Sequence, residues 1–133
     1  YESQIETGIP YILAKDNVNK KTNHQNIGTL KMSNLCSEIL QFSDETTTAI
    51  CCLSSMIVKN YVHDKKFDHK LLEKEVRKVV RTLNKVIDIN TYITEKGKRG
   101  GLEQRAIGIG VQGLADVFFL MDTKVASGRP APR

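Results

Sequence analysis

The chain has 133 residues, of which 40% are hydrophobic and 26% charged, with a formal net charge of +5 and a pI near 9.2. This is about one domain by length, with the make-up of an ordinary soluble globular protein and enough chain for a modest core. No apolar run approaches the roughly 20 residues of a membrane-spanning helix, and no signal-peptide pattern opens the chain; the three cysteines, with thiols kept reduced or cycled, make the cytoplasm the expected compartment.

Tyr1-Glu2-Ser3-Gln4 carries no capping signal and reads as a start inside an element of a longer protein. Gly8 and Pro10 predict a turn, followed by a short strand over Tyr11-Ile12-Leu13-Ala14. Residues 16–25 are nearly all polar and predict a surface loop. Residues 27–39 alternate imperfectly, as an extended segment would, and residues 41–48 form a second polar connection. The apolar run from Ala49 to Val58 predicts a buried strand passing into a turn at Ser54-Ser55.

The clearest element is an amphipathic helix from about Asp68 to Ile89. Leu71, Leu72, Val76, Val79, Val80, Leu83, Val86 and Ile87 recur at three- and four-residue steps, and Asp68 is placed to cap the first turn. Thr94 to Gly101 predicts a basic, glycine-containing loop. From Arg105 the chain reads as a short strand, a Gly-rich turn and a helix through about Met121. Gly108, Gly110 and Gly113 match G-x-G-x-x-G, but the acid that a dinucleotide site needs about 20 positions on is missing. Thr123 to Arg133 is too rich in Pro and Gly to continue the helix and predicts a disordered tail.

Much of the positive charge lies between Lys65 and Arg99, which raises nucleic acid as a partner. Acidic residues interrupt this region, and with four Tyr, four Phe and no Trp, stacking platforms for single strands are scarce. A solvated helix face is therefore expected. A basic module binding nucleic acid or an acidic protein is the rival from another functional class. The three cysteines, Cys36, Cys51 and Cys52, are too few for a secreted disulfide framework. There is no C-x-x-C, and adjacent Cys51 and Cys52 diverge in an extended strand, so no metal site is expected.

The stretch with most chemistry is Ser33-Asn34-Leu35-Cys36-Ser37-Glu38-Ile39. In an extended backbone Asn34, Cys36 and Glu38 share one face, spanning about 13 Å. An amide that both donates and accepts, a thiol that can act as nucleophile, redox group or radical carrier, and a carboxylate that takes a proton would then meet one small ligand. An ordinary strand with a buried Cys and a solvated Glu is the plain alternative.

Several stretches together resemble the catalytic (large, alpha) subunit of class I ribonucleotide reductase, particularly its eukaryotic and large-virus branch. They are Glu2-Ser3-Gln4 with Glu6-Thr7-Gly8 and Pro10-Tyr11, Asn26-Ile27-Gly28-Thr29, the Ser33–Ile39 stretch, Cys51 through Ser55, Leu83 through Asp88, and Ile107 through Asp116. They occur in the family's order and run from Tyr1 to Asp122.

The resemblance implies an α/β fold, a segment of a ten-stranded α/β barrel with residues 1–122 inside it and 123–133 as a non-homologous or disordered tail. It implies reduction of ribonucleoside diphosphates to their 2′-deoxy forms. Cys36 matches the cysteine that becomes a thiyl radical and takes the 3′ hydrogen. Glu38 matches the carboxylate that takes the 3′-hydroxyl proton, and Asn34 the amide that binds the sugar hydroxyls. Cys51 matches one member of the reducing cysteine pair, whose partner lies upstream of Tyr1 in the family; Cys52 is a departure from the pattern and is read as structural. The parent would use a radical made in a di-iron small (beta) subunit, ATP or dNTP effectors bound outside this segment, and a thioredoxin- or glutaredoxin-type reductant. It would work as a homodimer or larger assembly, while this segment alone would be inactive and bind no cofactor. The resemblance also makes the Gly-rich turn a strand-to-helix turn of the barrel and not a nucleotide site.

Overall fold

The computed structural model describes residues 1–123, and the chain divides into two compact units. The first joins Tyr1–Cys51 with Thr91–Ala106; the second contains Cys52–Asn90 and the chain from Ile107 onward. The tail expected over residues 123–133 lies, apart from Thr123, outside the described residues.

The first unit begins with helix α1, Glu2–Thr7, closed by Gly8 at φ 79°. Only glycine takes that left-handed conformation without steric cost, which makes it a common helix stop. The expected strand at Tyr11–Ala14 is absent, and these side chains lie in irregular, exposed backbone. The expected loop at 16–25 is largely helix α2, Lys15–Lys21, with Asp16 in its first turn and Lys20 and Lys21 in its last. Those charges oppose the helix dipole at both ends, a stabilisation that a polar composition conceals.

Residues 94–101 are likewise corrected from loop to helix. Helix α3 of the second unit spans His69–Ile89, and α4 of the first spans Glu95–Gln104. Thr94 caps α4 by accepting a hydrogen bond from the Gly97 N–H at 3.0 Å. Each glycine costs about 1 kcal/mol of helix propensity, but here Gly97, Gly100 and Gly101 are all buried. A Cβ on Gly100 would overlap the Thr48 carbonyl oxygen, and one on Gly101 would meet the Tyr92 ring at 2.5 Å. Close backbone approach decides this helix, and composition alone does not reveal it. The connection at 41–48 is present as expected, built round an Asp44 turn that Thr46 and Thr47 close.

In the second unit the strand β1, Cys51–Ile57, runs straight through Ser54-Ser55, where a turn was expected. The chain turns later, in a 3-10 helix at Val58–Tyr61. A hairpin of β2, Val62–His63, and β3, Lys66–Phe67, follows. Its two-residue link, Asp64-Lys65, takes φ of 50° and 60°, the twist that matches paired strands. The link lacks the Asn-Gly or Asp-Gly signal, so the hairpin was not legible in the sequence.

Helix α3 matches the expected amphipathic helix. The Asp68 carboxylate caps it, accepting from the Leu71 N–H at 2.8 Å. Leu71, Leu72, Val76 and Val79 pack on a core of Met56, Val58, Tyr61 and Val117, while Leu83 and Ile87 are buried further along. Asp68→Ala is expected to cost about 1 kcal/mol; urea unfolding measures it, and an unchanged midpoint would contradict the cap.

Strand β4, Ala106–Gln112, pairs with β1. Gly108 and Gly110 therefore lie inside a strand, and only Gly113, at φ 72°, makes the turn into α5, Leu114–Leu120. The architecture is mixed α/β, but the described residues form only two two-stranded sheets. The described residues thus show short strand pairs and no closed barrel.

Candidate active site

Asn34, Cys36 and Glu38 belong to the first unit, on the irregular segment between Leu30 and Phe42. The extended strand expected here is replaced by a turn. The Ser37 N–H donates to the Asn34 carbonyl at 3.1 Å, and Ser37 takes φ of 65°. The Asn34 side-chain oxygen accepts from the Ile39 N–H at 3.0 Å, an internal bond that competes with strand pairing. Ser33 adds a hydroxyl bond to the Asn34 carbonyl at 3.0 Å.

The turn removes the alternation on which the shared face depended. Leu35 and Cys36 occupy the two central turn positions and are exposed, as turn corners are. Asn34 and Glu38 are exposed as well. Asn34 and Cys36 still open onto one groove of about 720 Å³, whose other wall holds Ile9, Pro10 and Tyr11. Glu38 is not among the residues lining it. The structure thus brings the amide and thiol together and leaves the carboxylate outside. The Ile39 N–H engages one lone pair of the Asn34 Oδ1, which leaves the second lone pair and the NH₂ able to bond.

Cys51 opens β1 and is half-buried, as is Cys52. No disulfide joins cysteines among the described residues. Nor, among the described residues, is there a group of three His, Cys, Asp or Glu side chains able to hold a metal ion, or a helix long and apolar enough to cross a membrane. On α3, Arg77 pairs with Glu73 and Lys78 with Glu75, each at 2.7 Å. The basic region is therefore laced with acids along its most regular part.

A second, more polar cleft in the same unit is lined by His24, Asp44, Thr46, Thr47, Arg99 and Glu103 among others. The Asp44 carboxyl is held below its ordinary value of 3.8, first by the Thr46 N–H and then by the Thr46 hydroxyl, against a smaller opposing desolvation; the Thr47 N–H and the Arg99 charge add to the lowering. A carboxyl depressed in the folded state stabilises above its unfolded value, and that contribution disappears as pH falls through the folded one. Asp44→Asn keeps an acceptor for both N–H groups but cannot titrate. It is expected to flatten the loss of thermal stability below about pH 4; an acid limb identical to that of the unsubstituted chain would contradict this.

Sequence reasoning missed Asn19 and His24, which hold the ends of the Asn34–Glu38 segment. The Leu30 N–H donates to Asn19 Oδ1 at 2.7 Å, and Asn19 Nδ2 donates to the Leu30 carbonyl at 2.9 Å. The Phe42 N–H donates to His24 Nδ1 at 3.1 Å. Both residues sit in the polar stretch read as a loop, and no spacing signal marks them.

A family model described as the ribonucleotide reductase barrel domain matches residues 1–129. The chain is 51% identical over 121 residues to the ribonucleoside-diphosphate reductase large subunit of vaccinia virus, covering 91% of this chain and 16% of that protein. It is 48% identical over 120 residues to the large subunit of Caenorhabditis elegans, with 90% and 15% covered. The large chain of Schizosaccharomyces pombe is 42% identical over 120 residues, again with 90% and 15% covered. The chain thus spans about one sixth of the length of the relatives it matches.

Proposed function

This chain belongs to the ribonucleotide reductase barrel-domain family, and from that premise we propose that it supplies the radical-cysteine loop of a ribonucleoside-diphosphate reductase large subunit. The observation that carries the reading is the groove shared by Asn34 and Cys36, in a chain about half identical to such subunits over most of its length. The substrate is a ribonucleoside diphosphate. Cys36, as a thiyl radical, takes the 3′ hydrogen atom and becomes a thiol, leaving a carbon-centred radical on the ribose. Glu38 accepts the 3′-hydroxyl proton while the 2′ hydroxyl, protonated by a thiol of the reducing pair, leaves as water, and Asn34 holds the sugar hydroxyls.

Holding the hydrogen-atom acceptor and the proton acceptor on neighbouring ribose atoms removes the entropic cost of assembling them. Because the turn leaves Glu38 off the groove, catalysis requires this residue to swing toward the Asn34–Cys36 side when substrate is bound. Cys51 supplies reducing electrons with a second thiol brought to disulfide distance. The partners are a small subunit that provides the radical and a dithiol protein that reduces the cysteine pair; effectors bind elsewhere. The test is release of tritium from the 3′ position of labelled CDP by a large subunit carrying this segment. Release that persists without the Cys36 sulfur sinks the reading.

A further inference from the structure

The segment bearing Asn34, Cys36 and Glu38 makes few bonds of its own, yet both its ends are fixed by side chains from earlier in the chain. At Leu30, Asn19 supplies acceptor and donor together, as a paired strand would, at 2.7 and 2.9 Å. Its NH₂ also reaches the Lys15 carbonyl at 3.0 Å, so the amide is held from within α2. Leu30 itself is among the most deeply buried side chains, at 2% exposure.

At the other end Phe42 is held at three points. Its N–H donates to His24 Nδ1 at 3.1 Å, and its carbonyl accepts from Gln104 Nε2 at 3.0 Å. Its ring lies against Gly28 so closely that a Cβ there would overlap it. His24 is in turn tied down, its carbonyl accepting from the N–H groups of Ile27 and Gly28 at 2.9 and 3.2 Å.

We propose that Asn19 and His24 are positioning residues that set the geometry of the Asn34–Cys36–Glu38 turn by clamping its two ends, Leu30 and Phe42. This role rests on the functional reading above, but the clamp itself is a property of the chain. It is also sensitive to protons at one end only. An acceptor at Nδ1 requires the neutral imidazole with its hydrogen on Nε2. Protonation places two donors face to face and releases Phe42. The charged groups sharing the cleft with His24 are Asp44 from the connection and Arg99 and Glu103 from α4.

Amide exchange of the full chain, followed by NMR, tests the proposal at Ser37 and Ile39. Their N–H groups bond only within the turn, to Asn34, and so do not report trivially on the substituted side chains. Losing the clamping bonds, two to Leu30 in Asn19→Ala and one to Phe42 in His24→Ala, is expected to lower their protection factors about five- to tenfold or more. His24→Asn restores an acceptor near the Nδ1 position and should recover the protection. Acidification that protonates His24 should lower the protection factors of the unsubstituted chain but not those of His24→Asn. Unchanged protection in both alanine variants overturns the clamp, as does a turn already unprotected in the unsubstituted chain. Neither result depends on whether Cys36 exchanges the 3′ hydrogen of a nucleotide, so the two readings fail separately.

Discussion

Serine at position 36 is expected to abolish both 3′ hydrogen exchange and product formation, and serine at position 51 to abolish only the second. The difference follows from the two chemistries proposed for the thiols. A serine hydroxyl at residue 36 cannot carry the radical that takes a hydrogen atom from carbon, so nothing begins. At residue 51 the loss is of an electron pair, since no disulfide can form there. Hydrogen abstraction precedes that need, and exchange continues while net reduction stalls. The measurement is tritium release from 3′-labelled CDP beside dCDP formed with a dithiol reductant, on a large subunit carrying this segment. Exchange and reduction should both fall to background for Cys36→Ser. For Cys51→Ser, exchange should stay within a few-fold of the parent. Sustained reduction by Cys51→Ser with a thioredoxin-type reductant would remove Cys51 from its proposed role. Cys52→Ser is the comparison, because the adjacent thiol is half-buried to a similar degree.

Alanine at Gly100 is expected to be the most destabilising small substitution in the first unit. Its Cβ would fall on the Thr48 carbonyl oxygen, a backbone atom. Thr48 is tied to the same helix through its N–H, which donates to the Lys96 carbonyl at 3.1 Å. Neither side can yield without breaking that bond. The gain of about 1 kcal/mol in helix propensity from Gly to Ala does not offset the overlap, and a net loss of about 3 kcal/mol is expected. Gly101→Ala provides the contrast. Its obstruction is the Tyr92 ring, at 2.5 Å from Cε1 and 2.6 Å from the hydroxyl, a side chain that can rotate aside. That substitution is expected to cost about 1 kcal/mol or less. Urea unfolding followed by circular dichroism compares the two, and equal losses would contradict the assignment of Thr48 as the fixed wall.

The thiol of Cys36 stands at a turn corner, and the carboxylate of Glu38 lies off the groove that Asn34 and Cys36 share. Many large apolar side chains are also open to solvent, among them Leu35 at 91% and Ile93 at 99% exposure.

The sequence by itself determined the long helix, its Asp68 cap, the presence of a strand within the apolar run from Ala49 to Val58, though neither its turn nor its burial, and the family. Each rests on a signal carried by neighbouring residues: a 3.6-residue apolar period, a capping carboxylate, a compact apolar run, or ordered short matches. Tertiary structure alone decided the rest. α4 packs as it does because Gly100 and Gly101 let its backbone approach Thr48 and Tyr92, although the same glycines read locally as a loop. The Asn34–Glu38 stretch turns because Asn34 bonds forward to Ile39 and Ser37 bonds back to Asn34, although its alternation fits a strand equally well. Asn19 and His24 gain their part in the site only from partners 11 and 18 residues away. Hydrogen bonds across such separations leave no period in the chain, and only the folded backbone brings their donors and acceptors together.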